Sequence, residues 1–191
     1  AVAQRNVAPI LLEGLKRLEY RGYDSAGIAV INSQLKLNRL RAQGKVSNLE
    51  ELLSLKKNTG ANIGNIGIAH TRWATHGAPS EQNAHPHTCQ ENNIALVHNG
   101  IIENHEAMRN TLKNKGYSFT SETDSEVIVH NIYEHLQQPD STFFNAVLQT
   151  IKILEGAYAL AVIDVNNPQQ LIVARQGSPL VIGLGIGENF I

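Results

Sequence analysis

Two short apolar runs, Ile66-Gly-Ile-Ala-His70 and Ile94-Ala-Leu-Val-His98, each end in a dense polar motif. Runs of this length, rich in branched aliphatic residues, suit buried strands. The chain is therefore expected to carry its chemistry at strand ends, hung from sheet edges. The first motif, His70-Thr-Arg-Trp-Ala-Thr-His-Gly77, crowds a guanidinium, an indole, two imidazoles and two hydroxyls into eight residues. A second, Asn83-Ala-His-Pro-His87, precedes a third, Val97-His-Asn-Gly-Ile-Ile-Glu-Asn104. Six of the eight histidines fall between His70 and His105, which a scattered surface would not produce.

The flanking pattern supplies a scaffold. Leu11, Leu15 and Leu18 at helical spacing predict an amphipathic helix over about 7–20, capped by Asn6 and with Pro9 in its first turn. Segments 26–31 and 35–40 read as a strand pair. Ser47 and Glu50 form a capping box for a helix ending near Asn58-Thr-Gly60. Asn104 starts a helix closing at Gly116, Thr123 with Glu126 makes another capping box, and a further helix spans about 141–154. Strands follow at 157–163, 171–174 and 180–182. Strands, then helices together, then strands again predict an α+β fold of layered sheets covered by helices rather than strictly alternating βαβ units. At 191 residues, 42% of them hydrophobic, the chain can bury one core and reads as one domain.

A formal net charge of −1 with no Lys/Arg block argues against nucleic acid or an anionic membrane as partner and points to a small ligand. The single cysteine, Cys89, excludes a disulfide framework, and no run approaches the roughly 18 apolar residues of a membrane span. The cytoplasm is the expected compartment. The chain begins Ala1-Val-Ala-Gln4 without an initiator methionine and stops inside the apolar run 180–191, so it is expected to be a fragment of a longer polypeptide.

Each candidate group has two readings. Arg72 beside Thr75 and His76 suits a carboxylate ligand, or it pairs with a local acid in a surface loop. Trp73 is a lid over a ligand or a core anchor. Asp124 is a first-turn acid favoured by the helix dipole, or a partner for an ammonium group. If Arg72 and Asp124 converge, they form a receptor for the two charged ends of an amino acid. Asn99-Gly100 is a hairpin turn signal on spacing alone, or a pair of N–H donors for a developing oxyanion. His85 and His87 raise metal binding, but no acid or cysteine set completes a coordination pattern, so neither metal nor cofactor is expected. Cys89 lacks the helix-start setting that activates a thiol and reads as incidental.

Taken together, Leu18-Glu-Tyr-Arg-Gly-Tyr-Asp-Ser-Ala-Gly27, the three motifs above and Ser121-Glu-Thr-Asp124 resemble the glutaminase (class II glutamine amidotransferase) domain of the glucosamine-6-phosphate synthase family, over essentially the whole chain. The resemblance implies an N-terminal-nucleophile hydrolase fold, a four-layer αββα sandwich, with residues 1–191 an amidotransferase domain incomplete at both ends. It implies an N-terminal cysteine nucleophile, an oxyanion hole at Asn99 and Gly100, an α-carboxylate site at Arg72, Thr75 and His76, an α-amino site at Asp124, a gate at Trp73, and a loop beside the nucleophile at Arg21 and Gly22. That cysteine is expected ahead of Ala1, and Cys89 does not match it. The implied partners are L-glutamine and, through an isomerase half absent from this chain, fructose 6-phosphate, with homo-oligomerisation through that half. An amidotransferase serving a phosphoribosyl or aspartyl acceptor, and a non-catalytic amino-acid-binding module, are the other classes that fit.

Overall fold

The computed structural model describes residues 1–56, 60–73 and 77–191. In chain order these form β1 (Val2–Ala3), α1 (Ala8–Leu18), a 3₁₀ turn (Glu19–Arg21), β2 (Ser25–Ile31), β3 (Leu37–Gln43), α2 (Val46–Leu55), β4 (Ile66–Arg72), β5 (His87–Thr88), β6 (Ile94–Ile102), α3 (His105–Asn114), α4 (Asp124–Leu136), α5 (Phe143–Ile151), β7 (Gly156–Asp164), β8 (Leu171–Gln176), β9 (Gly183–Leu184) and β10 (Glu188–Phe190). The strands make two antiparallel sheets, ordered β3-β2-β4-β1-β10-β9 and β5-β6-β7-β8.

Side-chain alternation explains the layering. Along β2, which is buried throughout, Ile28 and Val30 face α1 and α2 and pack with Val7, Leu15 and Leu49, while Ala29 and Ile31 face the second sheet. Between the sheets, Ala29, Ile31, Ile66 and Ile68 meet Ala95, Ala161 and Ile163. On the far face of the second sheet, Ile94, Leu96, Leu160 and Val162 pack on Ile128, Val129 and Ile132 of α4 and Phe143 and Val147 of α5. The result is helices, sheet, sheet, helices, the αββα order expected from the sequence.

Several local expectations change. β4 and β6 are interior strands, so the motifs ride on sheet interiors rather than edges. β6 runs unbroken through Asn99 and Gly100, which pair with Ala159 and Tyr158 of β7, and this removes the hairpin-turn reading of Asn99-Gly100. The Ser47–Glu50 capping box is absent because α2 starts at Val46, whose amide donates to the Tyr23 hydroxyl at 2.8 Å and to Glu19 Oε1 at 3.3 Å. Leu35 turns with φ 56°, held by Asn32 Oδ1 accepting from the amides of Gln34 and Lys36, so β3 begins at Leu37. Asn104 precedes α3 but aims its amide at Ile153 and Glu155 instead of capping. Thr142, whose hydroxyl accepts from the Asn145 amide, caps α5, so this helix begins at Phe143. Segment 180–182 is not a strand; β9 and β10 follow it. The expected loop at Asn58-Thr-Gly60 lies, but for Gly60, outside the described residues.

Candidate active site

The last residues of β4 and the middle of β6 face one another across the gap between the sheets, and the N-terminus of α4 closes the space beside them. The cavity so formed has a volume of about 910 Å³ and is lined in part by Ala1, Arg21, Gly22, His70, Arg72, Trp73, His85, His98, Asn99, Gly100, Asp124 and Ser125. Seven of the expected site residues therefore share one cavity: Arg21, Gly22, Arg72, Trp73, Asn99, Gly100 and Asp124. Thr75 and His76 lie outside the described residues.

Arg72 is 4% exposed, so it does not belong to a surface loop. Its guanidinium stands 3.4 Å from Asp24 Oδ1, an acid 48 positions away in sequence, and donates to the carbonyls of Gly77 and Ala78. Asp124 is also 4% exposed. It occupies the first turn of α4, yet Oδ2 accepts from the Ile102 amide at the end of β6, at 2.9 Å. Helix and strand are thus tied at the carboxylate. Thr123 caps α4 by accepting from the Glu126 amide, as its sequence position predicted. The Glu126 side chain instead accepts from the amides of Thr120 and Ser121, so half the capping box forms.

A buried imidazole cluster lies behind these groups, and the sequence reading did not place it in the site. His85 Nε2 and His98 Nδ1 each lie 2.9 Å from Ser125 Oγ, whose hydroxyl donates to Asp124 Oδ1 at 3.3 Å. A hydroxyl has one proton to give, so both imidazoles donate to Ser125, which sets His85 as the Nε2–H tautomer and His98 as the Nδ1–H tautomer. His87 Nε2 lies 3.0 Å from Thr123 Oγ1, so Thr123 links the cluster to the α4 cap. Burial drives the pKa of His70 down to about 4, that of His87 to about 3 and that of His85 well below its ordinary value. These three rings are neutral near pH 7. Its one sequence signal was the crowding of histidines into 70–105.

Gly100 has φ 140°, and a Cβ there would stand 2.0 Å from the Ala157 carbonyl oxygen, so the close approach of β7 requires glycine. Trp73 is 69% exposed and is no core anchor; its ring covers Gly22, where a Cβ would lie 2.5 Å from the indole. Cys89 lies in the core under α4 and α5, away from the cavity lining, with its thiol donating to Asn93 Oδ1 and its pKa pushed up by burial. It is not placed to act as a nucleophile here. Among the described residues, no three His, Cys, Asp or Glu side chains are grouped to hold a metal ion, and no helix is long and apolar enough to cross a membrane.

The family model of the glutamine amidotransferase domain matches residues 70–190, more than half of the chain, beginning at the His70 motif itself. The chain belongs to the glutamine amidotransferase domain family. This amidotransferase domain is 58% identical over its whole length to the isomerizing glutamine–fructose-6-phosphate aminotransferases of Legionella pneumophila (strain Lens) and Haemophilus influenzae. It spans 31% and 30% of the length of those relatives. In structure it is similar to the glutamine phosphoribosylpyrophosphate amidotransferase of B. subtilis, at 27% identity and a TM-score of 0.77, over 98% of this chain and 39% of that one. A second solved structure, described as the allosteric regulatory enzyme of purine biosynthesis, matches at 28% identity and a TM-score of 0.70 over 90% of this chain. The amidotransferase domain thus has the N-terminal-nucleophile hydrolase fold of these neighbours.

Proposed function

We propose that residues 1–191 form the glutamine-hydrolysing domain of a longer aminotransferase that passes ammonia from L-glutamine to fructose 6-phosphate. The observation that carries this reading is the convergence on one cavity of a buried guanidinium, a buried carboxylate and the Asn99-Gly100 pair. The 58% identity to aminotransferases that carry fructose 6-phosphate in their names supports that acceptor over the phosphoribosyl one, whose named relative is 27% identical.

In this reading Arg72, with Thr75 and His76, receives the α-carboxylate, and Asp124 receives the α-amino group. Those two contacts hold the side-chain amide toward Asn99 and Gly100. A cysteine thiolate ahead of Ala1 attacks the amide carbon, its proton having passed to the free α-amino group of the same cysteine. The C=O electron pair moves onto oxygen, where the Asn99 side-chain N–H and the Gly100 backbone N–H stabilise it. Collapse expels ammonia, which takes the proton back, and water then cleaves the thioester to glutamate. Ala1 is hydrogen-bonded in both directions to Gly67 of β4 in the cavity wall, so a residue ahead of it is delivered to the same space. Arg21 and Gly22 line the approach, and Trp73 gates it.

The test is glutamate and ammonia release by the chain extended at Ala1 with a segment starting in cysteine. Hydrolysis by the extended chain, lost on Cys→Ala and reduced about 100- to 1000-fold in turnover by Asn99→Asp at equal melting temperature, is the expected result. No release from a folded extended chain that binds glutamine would leave the amino-acid-binding module as the reading.

A further inference from the structure

The oxyanion donor assigned to Asn99 works only if its side-chain amide points the right way. A carboxamide has an oxygen and an NH₂ of nearly equal size, and the wrong rotamer would present a carbonyl oxygen to a developing negative charge. Something must break that symmetry. Across the gap between the sheets, His70 Nε2 of β4 lies 2.7 Å from Asn99 Oδ1 of β6, and this contact joins two motifs 29 residues apart.

The proton on His70 decides the outcome. His70 Nδ1 is buried and has no hydrogen-bond partner among the described residues. Placing the proton there would strand a buried N–H, the rarer and costlier kind of orphan, whereas an unprotonated Nδ1 leaves only a lone pair unused. The ring is therefore the Nε2–H tautomer, donating to Asn99 Oδ1 and leaving both amide N–H bonds directed away from His70. Desolvation, which holds the His70 pKa at about 4, keeps the ring neutral near pH 7, when only one nitrogen carries a proton. The opposite tautomer would draw the Asn99 NH₂ inward and turn its oxygen to the cavity.

We propose that His70 is a positioning residue, one that orients the Asn99 amide with its N–H groups toward the reacting oxygen through a single interlayer hydrogen bond. This deepens the glutaminase reading above and rests on it for the kinetic effect, but not for the tautomer. Two measurements test it. In the 191-residue chain, the imidazole nitrogen chemical shifts of His70 should show a protonated Nε2 and a bare Nδ1; a proton on Nδ1 overturns the proposal whether or not the domain is a glutaminase. In the cysteine-extended chain, His70→Ala should lower kcat for glutamine hydrolysis about five- to ten-fold, the value of one hydrogen bond, with KM unchanged. His70→Gln, which restores an N–H donor at similar reach, should recover most of that loss. His70→Ala combined with Asn99→Ala should be no slower than Asn99→Ala alone. A KM effect without a kcat effect, no recovery in a folded His70→Gln variant, or multiplicative losses in the double variant would each overturn the proposal. An extended chain with no hydrolysis at all refutes the glutaminase reading and leaves the tautomer measurement to decide the positioning claim.

Discussion

The cavity has two unlike walls. The deep wall, from β4, β6 and the start of α4, consists of side chains on regular elements, with Arg72 and Asp124 at 4% exposure and their polar atoms hydrogen-bonded to backbone or to neighbours. The rim, from Tyr20 to Gly22 and at Trp73, is exposed, and Trp73 stands at 69%. A preorganised polar wall holds its dipoles without reorganising during reaction, which suits recognition and charge stabilisation. An exposed ring over a glycine can move at little cost, which suits admission. The walls should therefore fail differently when perturbed.

The largest difference is expected in acid. His70, His85 and His87 in or behind the deep wall have folded pKa values below the ordinary 6.5, with His70 at about 4 and His87 at about 3. Between those values and 6.5 the unfolded chain binds protons that the folded chain does not, so this contribution is full above about pH 6.5 and is lost as pH falls toward 4 and then 3. Each imidazole kept neutral can remove up to about 1.4 kcal/mol per pH unit in that window. Glu126, whose carboxylate is held low by hydrogen bonds from Ser121 and its surroundings despite its burial, acts with the same sign at lower pH. Melting temperature should be flat near pH 7–8 and drop steeply below 6.5, and His85→Gln should flatten the slope. A melting temperature unchanged from pH 7 to 4.5 would mean that these rings are solvated and that the deep wall is not dry.

The rigid wall was also the harder one to read in the sequence. Layered sheets covered by helices followed from apolar alternation and from helices grouped between strands, because those patterns are local, and the αββα order itself came from the family resemblance. Thr123 as a cap was legible three residues from Glu126. The start of α2 was not, because its first amide is satisfied by Tyr23 and Glu19, more than twenty positions away, and a nearby Ser-x-x-Glu pattern imitated the missing cap. Asn99-Gly100 misled for the same reason: the dipeptide signals a turn, but pairing with β7 overrides it. Motif resemblance pointed to Arg72, Asp124 and Asn99 as functional residues. The partners that hold them, Asp24 for Arg72, the Ile102 amide for Asp124 and His70 for Asn99, come from other elements, and no periodicity in one chain encodes such contacts.

A smaller effect is expected from changing charge alone in the deep wall. Asp124→Ala would strip the acceptor from the Ile102 amide and confuse binding with stability, whereas Asp124→Asn keeps an oxygen there and removes only the negative charge. On the receptor reading, calorimetry with glutamine on Asp124→Asn should show a loss of about 2 kcal/mol, roughly 30-fold in Kd, the low end for a desolvated charge pair left half-made. The melting temperature should stay near that of the parent. Arg72→Ala should weaken binding at least as much and also lower the melting temperature, because the guanidinium's contacts with Asp24 and with the carbonyls of Gly77 and Ala78 go with it, leaving Asp24 with the Ser25 hydroxyl and Ala78 with the Asn83 amide. Unchanged affinity in both variants would remove the receptor.

The smallest expected effect tests the rim. Gly22 has φ 79°, and an added Cβ would stand 2.5 Å from the Trp73 ring, so Gly22→Ala brings both backbone strain and a clash. With ψ at 150° this backbone is essentially confined to glycine, and the strain is worth about 1–3 kcal/mol, or about 2–4 °C in melting temperature for each kcal/mol in a chain of this size. The clash should cost less, because the exposed indole can swing toward solvent. On the gate reading of Trp73, a displaced ring changes how glutamine enters and leaves, while Arg72, Asp124 and Asn99 stay where β4, β6 and α4 hold them. In the cysteine-extended chain, Gly22→Ala should therefore raise KM a few-fold with kcat within about two-fold, and adding Trp73→Ala should relieve the clash but not the strain. A large fall in kcat at unchanged KM would place the Gly22 backbone against the reacting atoms, and the cavity would then have one continuous catalytic wall in which the loop beside the nucleophile is as fixed as the strands.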